Sequence, residues 1–273
     1  MKAFKIKRDF GELSYYKSEA NPDAPVLLGL SGFGCSHYNY LDLLPELSQN
    51  FTFILVDNRG MGASDKTQRQ YSLKDVAMDA LAAMDDQKID TFGLMGISMG
   101  GFIAQELIKL APERVSAVAL MCSLSGGDDF IRPVSLTEAG LRQFNKLDPR
   151  IQCEFSTQAT VHPSLIKNNQ ERYQRIVNLR VENMADIEEA IRQNNAALTF
   201  IDTPFDLSII KCSALAMSGA ADRFVNPENS KVFAKKIKQC QTAFIPESDH
   251  FFFMEKPEET ALALNKFFKE VMA

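Results

Sequence analysis

The 273-residue chain has no tryptophan, only three histidines, and five cysteines scattered at positions 35, 122, 153, 212 and 240. Each shortage excludes something. Without tryptophan there is no indole N–H to hold a halide. The cysteines are odd in number and never closely paired, which argues against a disulfide framework and against a zinc site. A reducing cytoplasm is therefore the expected location, with no metal and no cofactor required. No segment approaches eighteen apolar residues, so no membrane span is expected. The N-terminal stretch MKAFKIKRDFGELSYYKSE alternates apolar and charged residues where a signal peptide needs an unbroken apolar run. The net charge of -5 arises from interspersed acids and bases without a basic block, which implies neither nucleic acid nor an anionic membrane as partner. A small-molecule substrate is left as the expected partner, and the sequence is silent on oligomeric state.

With 45% hydrophobic residues, the chain can bury a full core. Its first residues alternate on both sides of RDFGE, the pattern of an antiparallel hairpin. Short continuous apolar runs follow, VLLGL (26–30), FTFILV (51–56), TFGLMG (91–96) and VSAVALM (115–121), as expected of strands buried on both faces. Helical periodicity separates them over 72–88 and 99–111. From 123 to 204 the strand signal vanishes and helical stretches such as LTEAGLRQFNKLD and DIEEAIRQNNAALTF take over; alternation then resumes with ALAMSG (214–219), a helix over 227–240, TAFIP (242–246) and a final helix from Pro257. The reading is an α/β fold, a mostly parallel twisted sheet with an N-terminal antiparallel hairpin and helices on both faces. Residues 1–122 and 205–273 form its core domain, and 123–204 an inserted all-helical cap.

The chemistry centres on GLMGISMGGF (93–102), which sets Ser98 among four glycines between a buried strand and a helix. Such a turn can lift a hydroxyl above the carboxyl edge of a sheet while helix N-terminal amides point the same way. The plain alternative is a strand-to-helix turn whose serine caps the helix. A nucleophilic serine needs a base, and the base an orienting acid. His250, in PESDHFFFMEKPEE just past the last strand, is best placed as base; His37 and His162 read as structural. Asp222, in SGAADRFVNP, follows a strand and precedes His250 in chain order, with Asp128 and Asp129 as competitors. Asp249 reads as surface charge. The backbone N–H groups of Met99 and of Phe33, in SGFGCS, are the candidate oxyanion donors.

Taken together, SGFG, DNRGMGASD, GISMGG, GAADRFVNP and SDHFFFMEKPEE resemble, in order and spacing, the α/β-hydrolase fold superfamily, in its serine-nucleophile, carboxylesterase-like branch with a helical cap. The resemblance runs from about Val26 to the C-terminus. It implies that Asp57 and Arg59 brace loops near the site. It also marks a departure, because the family commonly has His-Gly where this chain has Ser31-Gly32. The expected function is a serine hydrolase, most simply a carboxylesterase, cleaving a small apolar carboxylic ester through an acyl-enzyme on Ser98. A carbon-carbon bond hydrolase or lactonase on the same residues, or a small-molecule sensor with little turnover, are the alternatives. Phe33, Met95, Met99, Phe251, Phe252 and Met254 are expected around an apolar pocket, and Phe144, Phe155 and Leu165 are expected to tune substrate choice from the cap without touching the chemistry.

Overall fold

The computed structural model describes residues 1–18 and 24–272. Strands β1 (Lys2–Arg8) and β2 (Gly11–Lys17) form the antiparallel hairpin, closed by the turn at Asp9 and Phe10. The continuous apolar runs become β3 (Val26–Leu30), β4 (Thr52–Val56), β5 (Phe92–Ile97), β6 (Val115–Met121), β7 (Ser213–Gly219) and β8 (Cys240–Ile245). All eight join one sheet in the order β1-β2-β4-β3-β5-β6-β7-β8; β2 runs antiparallel to β4, and every later pairing is parallel.

Helices α1 (Leu44–Leu47), α2 (Leu73–Asp86) and α3 (Met99–Leu110) lie between the early strands. Ser72 and Asp75 start α2 with a reciprocal capping box, which satisfies two amides that a helix start leaves orphaned. The insertion between β6 and β7 holds α4 (Glu138–Phe144), α5 (Pro149–Gln158), α6 (Pro163–Asn168), α7 (Gln170–Glu182) and α8 (Ile187–Asp202). The C-terminal part adds α9 (Glu228–Lys236), α10 (Phe252–Glu255) and α11 (Pro257–Met272).

Alternate residues of each inner strand enter opposite layers. Leu28 and Leu30 pack with α2 and α3, whereas Leu27 joins Phe267 and Phe268 of α11. The insertion joins both layers. Phe200 of α8 stacks on Phe102 of α3 with ring centres 5.0 Å apart, while Tyr173, Ile176 and Val177 of α7 share the layer of Phe251 and Phe252. Five helices thus arch across the sheet from one face to the other. The stretch just after β6 also touches the C-terminal part: Phe130 packs on Phe233 of α9 at 4.9 Å, and Asn229 exchanges two hydrogen bonds with the Ile131 backbone.

The parallel strands end in register, with Leu30 opposite Gly96, Ile97 opposite Met121, and Gly219 opposite Ile245. The residues just past these ends, Ser31, Ser98, Cys122, Asp222 and His250, therefore collect along one edge.

Candidate active site

Ser98 occupies φ 53°, ψ -117°, a conformation that a non-glycine residue adopts only where its surroundings enforce it. The enforcement is backbone packing. A Cβ at Gly100 would fall 2.0 Å from the Leu30 carbonyl oxygen, and one at Gly96 would fall 2.4 Å from that of Gly100, so only glycines let β3, β5 and α3 approach this closely. Hydrogen bonds complete the turn: the Ser98 amide donates to Met121 O at 2.7 Å, and Ser98 O accepts from Gly101 N and from Ser123 Oγ, both at 2.8 Å. Ser98 stands at the N-cap position of α3, yet its hydroxyl makes no capping bond. The plain reading of the serine as a helix cap therefore fails, and the hydroxyl is left for other work.

That hydroxyl meets His250, whose Nε2 lies 3.1 Å from Ser98 Oγ; Nδ1 of the same ring lies 2.9 Å from Asp222 Oδ2. Asp222 is itself oriented, since its Oδ1 accepts from the amides of Phe224 and Val225 at 2.8 Å each. The structure thus brings Ser98, His250 and Asp222 together. Asp128 and Asp129 lie elsewhere, beside Arg132 and Lys236. Burial by itself opposes a charge on His250, but the Asp222 carboxylate, together with the neighbouring Cys122, offsets it and holds the imidazole pKa well above its ordinary value. Cys122, one residue beyond β6, also neighbours the ring: its thiol and the Asp222 and His250 ligand atoms lie within 4.8 Å of one another. Burial pushes that thiol pKa up, so at neutral pH it is an uncharged neighbour.

Opposite Ser98 runs the loop from Ser31 to Ser36. A Cβ on Gly32 would stand 3.3 Å from Ser98 Cβ, which places the loop directly against the Ser98 side chain. Among the described residues neither the Phe33 nor the Met99 amide has an acceptor, and Met99 is the first residue of α3. Ser31 donates to Ser36 O at 2.7 Å, bracing the loop from within. Two groups from the insertion hold its other side: Gln193 Oε1 accepts from Gly34 N at 2.6 Å, and Asn183 Oδ1 accepts from Ser36 Oγ at 3.2 Å.

The remaining candidates are structural. Asp57 accepts from the His37 amide and ring and from Ala63 N, each at 2.9 Å, and Arg59 pairs with buried Asp79 at 2.7 Å. His37 also stacks on Tyr16, and His162 caps α6. Asp249 is a correction to the surface-charge expectation. It is fully buried, accepts from Arg223 N and Nε, and fixes the turn into His250 through the His250 amide at 2.8 Å. Behind it, buried Glu255 accepts from Asp249 N at 2.8 Å and from His162 N at 2.7 Å; burial raises its carboxyl pKa to about 7.

A cavity of about 560 Å³ opens over Ser98 and His250 beneath the insertion. Phe33, Phe251, Phe224, Leu141 and Phe144 give it apolar walls. Met95, Met99, Phe252 and Met254 are core residues instead, Phe155 points to solvent, and Leu165 packs in the layer of α7. Several groups at or near the cavity escaped the sequence reading: Cys122, Asn39, Arg180 and Gln193. Only Cys122 carried a usable signal, its place directly after a buried strand.

Comparison with known proteins agrees with this fold. The profile of the alpha/beta hydrolase fold matches residues 25–257. The chain belongs to the α/β hydrolase family. It is 25% identical over 250 residues to the dihydrolipoyllysine-residue acetyltransferase component of the acetoin cleaving system of Pseudomonas putida, a match that covers 90% of this chain and 64% of that longer protein. A thermophilic esterase from Thermogutta terrifontis shares the fold at TM-score 0.82 and 22% identity, each chain covered in full. The enol-lactonase from Burkholderia xenovorans LB400 shares it at TM-score 0.81 and 20% identity, with 94% of this chain and 96% of that one covered. Hydrolase chemistry is what this α/β hydrolase membership supports. Among the described residues, no helix is long and apolar enough to cross a membrane.

Proposed function

We propose that the protein is a serine hydrolase acting on carboxylic esters, cyclic esters included, through an acyl-enzyme on Ser98. The observation that carries this reading is the Ser98 hydroxyl itself, held in a strained turn, free of any capping role, and 3.1 Å from His250 Nε2. In the first half-reaction Nε2 takes the hydroxyl proton as Oγ bonds to the ester carbonyl carbon. The carbonyl electron pair moves onto oxygen, where the Phe33 and Met99 amides donate to it. Collapse of this intermediate expels the alkoxide, which leaves as alcohol with the proton from Nε2. Water then repeats the sequence on the acyl-enzyme, releasing the acid and restoring Ser98. Throughout, Asp222 keeps the proton on Nδ1 and stabilises the imidazolium. All five cysteines are free thiols, which fits a cytoplasmic protein.

The test is turnover of short p-nitrophenyl esters. The wild type should cycle many times, and Ser98→Ala should lose about 10⁶ in kcat. A burst of one or two turnovers would instead favour a sensor, and an active Ser98→Ala protein would end the reading.

A further inference from the structure

The arginines of the inserted helices differ in one respect. Arg142 pairs with Glu138 and Glu188, Arg150 with Glu154, Arg172 with Glu258, Arg175 with Asp42 and Arg192 with Glu189. Arg180 is the remaining one, and among the described residues no carboxylate lies within ion-pair distance of it. Its Nη1 reaches only two neutral hydroxyls, Thr157 Oγ1 at 3.2 Å and Thr160 Oγ1 at 3.5 Å. A guanidinium presents five N–H donors, so most of its capacity is unused. Its position in the last turn of α7 favours a cation, but a side chain turned to water would gain that equally. Arg180 instead lies over Phe251, its guanidinium carbon 4.9 Å from the ring centre, and lines the same cavity as Ser98 and His250.

Phe251 fixes the separation. Its ring centre is 6.0 Å from that of His250, so the guanidinium stands one aromatic ring away from the imidazole. A second unsatisfied group lines the cavity: Asn39 is fully buried, and neither its amide nitrogen nor its oxygen has a partner. A buried amide left unpaired in this way is costly unless something else supplies the partner. An acceptor with two oxygens matches the guanidinium fork.

We infer that the cavity takes an anionic substrate, an ester or lactone that also bears a carboxylate, with Arg180 binding the carboxylate while the scissile carbonyl sits at Ser98. The inference rests on the serine hydrolase reading and narrows its substrate class. The apolar walls formed by Leu141 and Phe144 accommodate the methylenes between the two polar ends.

The discriminating pair is 4-nitrophenyl hemiglutarate and 4-nitrophenyl pentanoate, equal in acyl length and different in the terminal carboxylate. After subtraction of spontaneous hydrolysis, wild-type kcat/KM should favour the hemiglutarate. Arg180→Met, which keeps the packing on Phe251, should lower the ratio of the two by about 10²-fold. Arg180→Lys should restore part of the preference. An unchanged ratio in a folded Arg180→Met protein, checked by its melting curve, would overturn the anion site and leave the hydrolase reading standing. A binding measurement separates the reverse failure. In the Ser98→Ala protein, calorimetric titration with monomethyl glutarate should show binding that Arg180→Met weakens at least about tenfold. Arg180-dependent binding together with no hydrolysis of either ester by the wild type would retain the anion site and overturn the serine hydrolase reading. Binding indifferent to Arg180 would overturn the anion site.

Discussion

The Ser98 turn and the loop opposite it face each other across the reacting centre, yet they are held in different ways. The turn is locked at the strand ends, by Met121 O, Ser123 Oγ and the mutual approach of Gly96, Gly100 and Leu30 O. The loop from Ser31 to Ser36 is braced on one side by its own Ser31 and on the other by Gln193 and Asn183 of the insertion. The insertion therefore reaches the loop that faces Ser98. We propose that it also positions one wall of the oxyanion site, so the expected separation between a chemical core and a selective cap does not hold at this loop.

The largest effect that sharpens the contrast belongs to the sheet side. Asp222→Asn should lower kcat by about 10⁴, because the amide favours the wrong imidazole tautomer without moving Ser98. A rate near wild type, measured on the same ester, would remove Asp222 from its proposed role. A smaller effect belongs to the insertion. Gln193→Ala leaves the Gly34 amide without its acceptor and should lower kcat by about tenfold with little change in KM, less than the loss from deleting an oxyanion donor outright. Gln193→Glu keeps an acceptor at that point and should recover most of the loss. If neither variant changes kcat, the loop is held from the sheet side alone and the comparison collapses. The smallest effect is in pH dependence. His250 must be neutral to accept the Ser98 proton, and its pKa is raised by Asp222, so kcat/KM should rise with pH through a midpoint above the ordinary value near 6.5. Asp222→Asn removes the raising charge and should move the midpoint down.

The sheet was legible because strands buried on both faces write continuous apolar runs; Val26–Leu30 and Val115–Met121 were readable to the residue. The Ser98 turn was legible because its glycines answer a steric demand local to that turn. The bounds of helix α5 inside the all-helical cap were not legible, although Asp148 caps it and Pro149 opens it, because Ile151 and Phe155 face outward and blur the apolar stripe. Nothing in the sequence announces helix α10, since FFFME shows no period and its four residues are held by tertiary packing. The burial of Asp249 was not legible because nothing near it in sequence announces Arg223, which reaches it from twenty-six positions earlier. The same holds for Gln193 and Arg180: contacts between an insertion and a sheet edge depend on how the helices arch, and no local pattern encodes that.

The central claim is that Ser98 is the nucleophile, and covalent capture tests it most directly. Incubation with a fluorophosphonate, followed by peptide mass spectrometry, should place one phosphonyl group on the peptide containing GISMGG, on Ser98, with loss of the fluoride. Labelling should slow when His250 is replaced by alanine and vanish in Ser98→Ala. A wild-type protein that stays unlabelled, or that carries the group on another residue while Ser98→Ala labels equally well, would contradict the account.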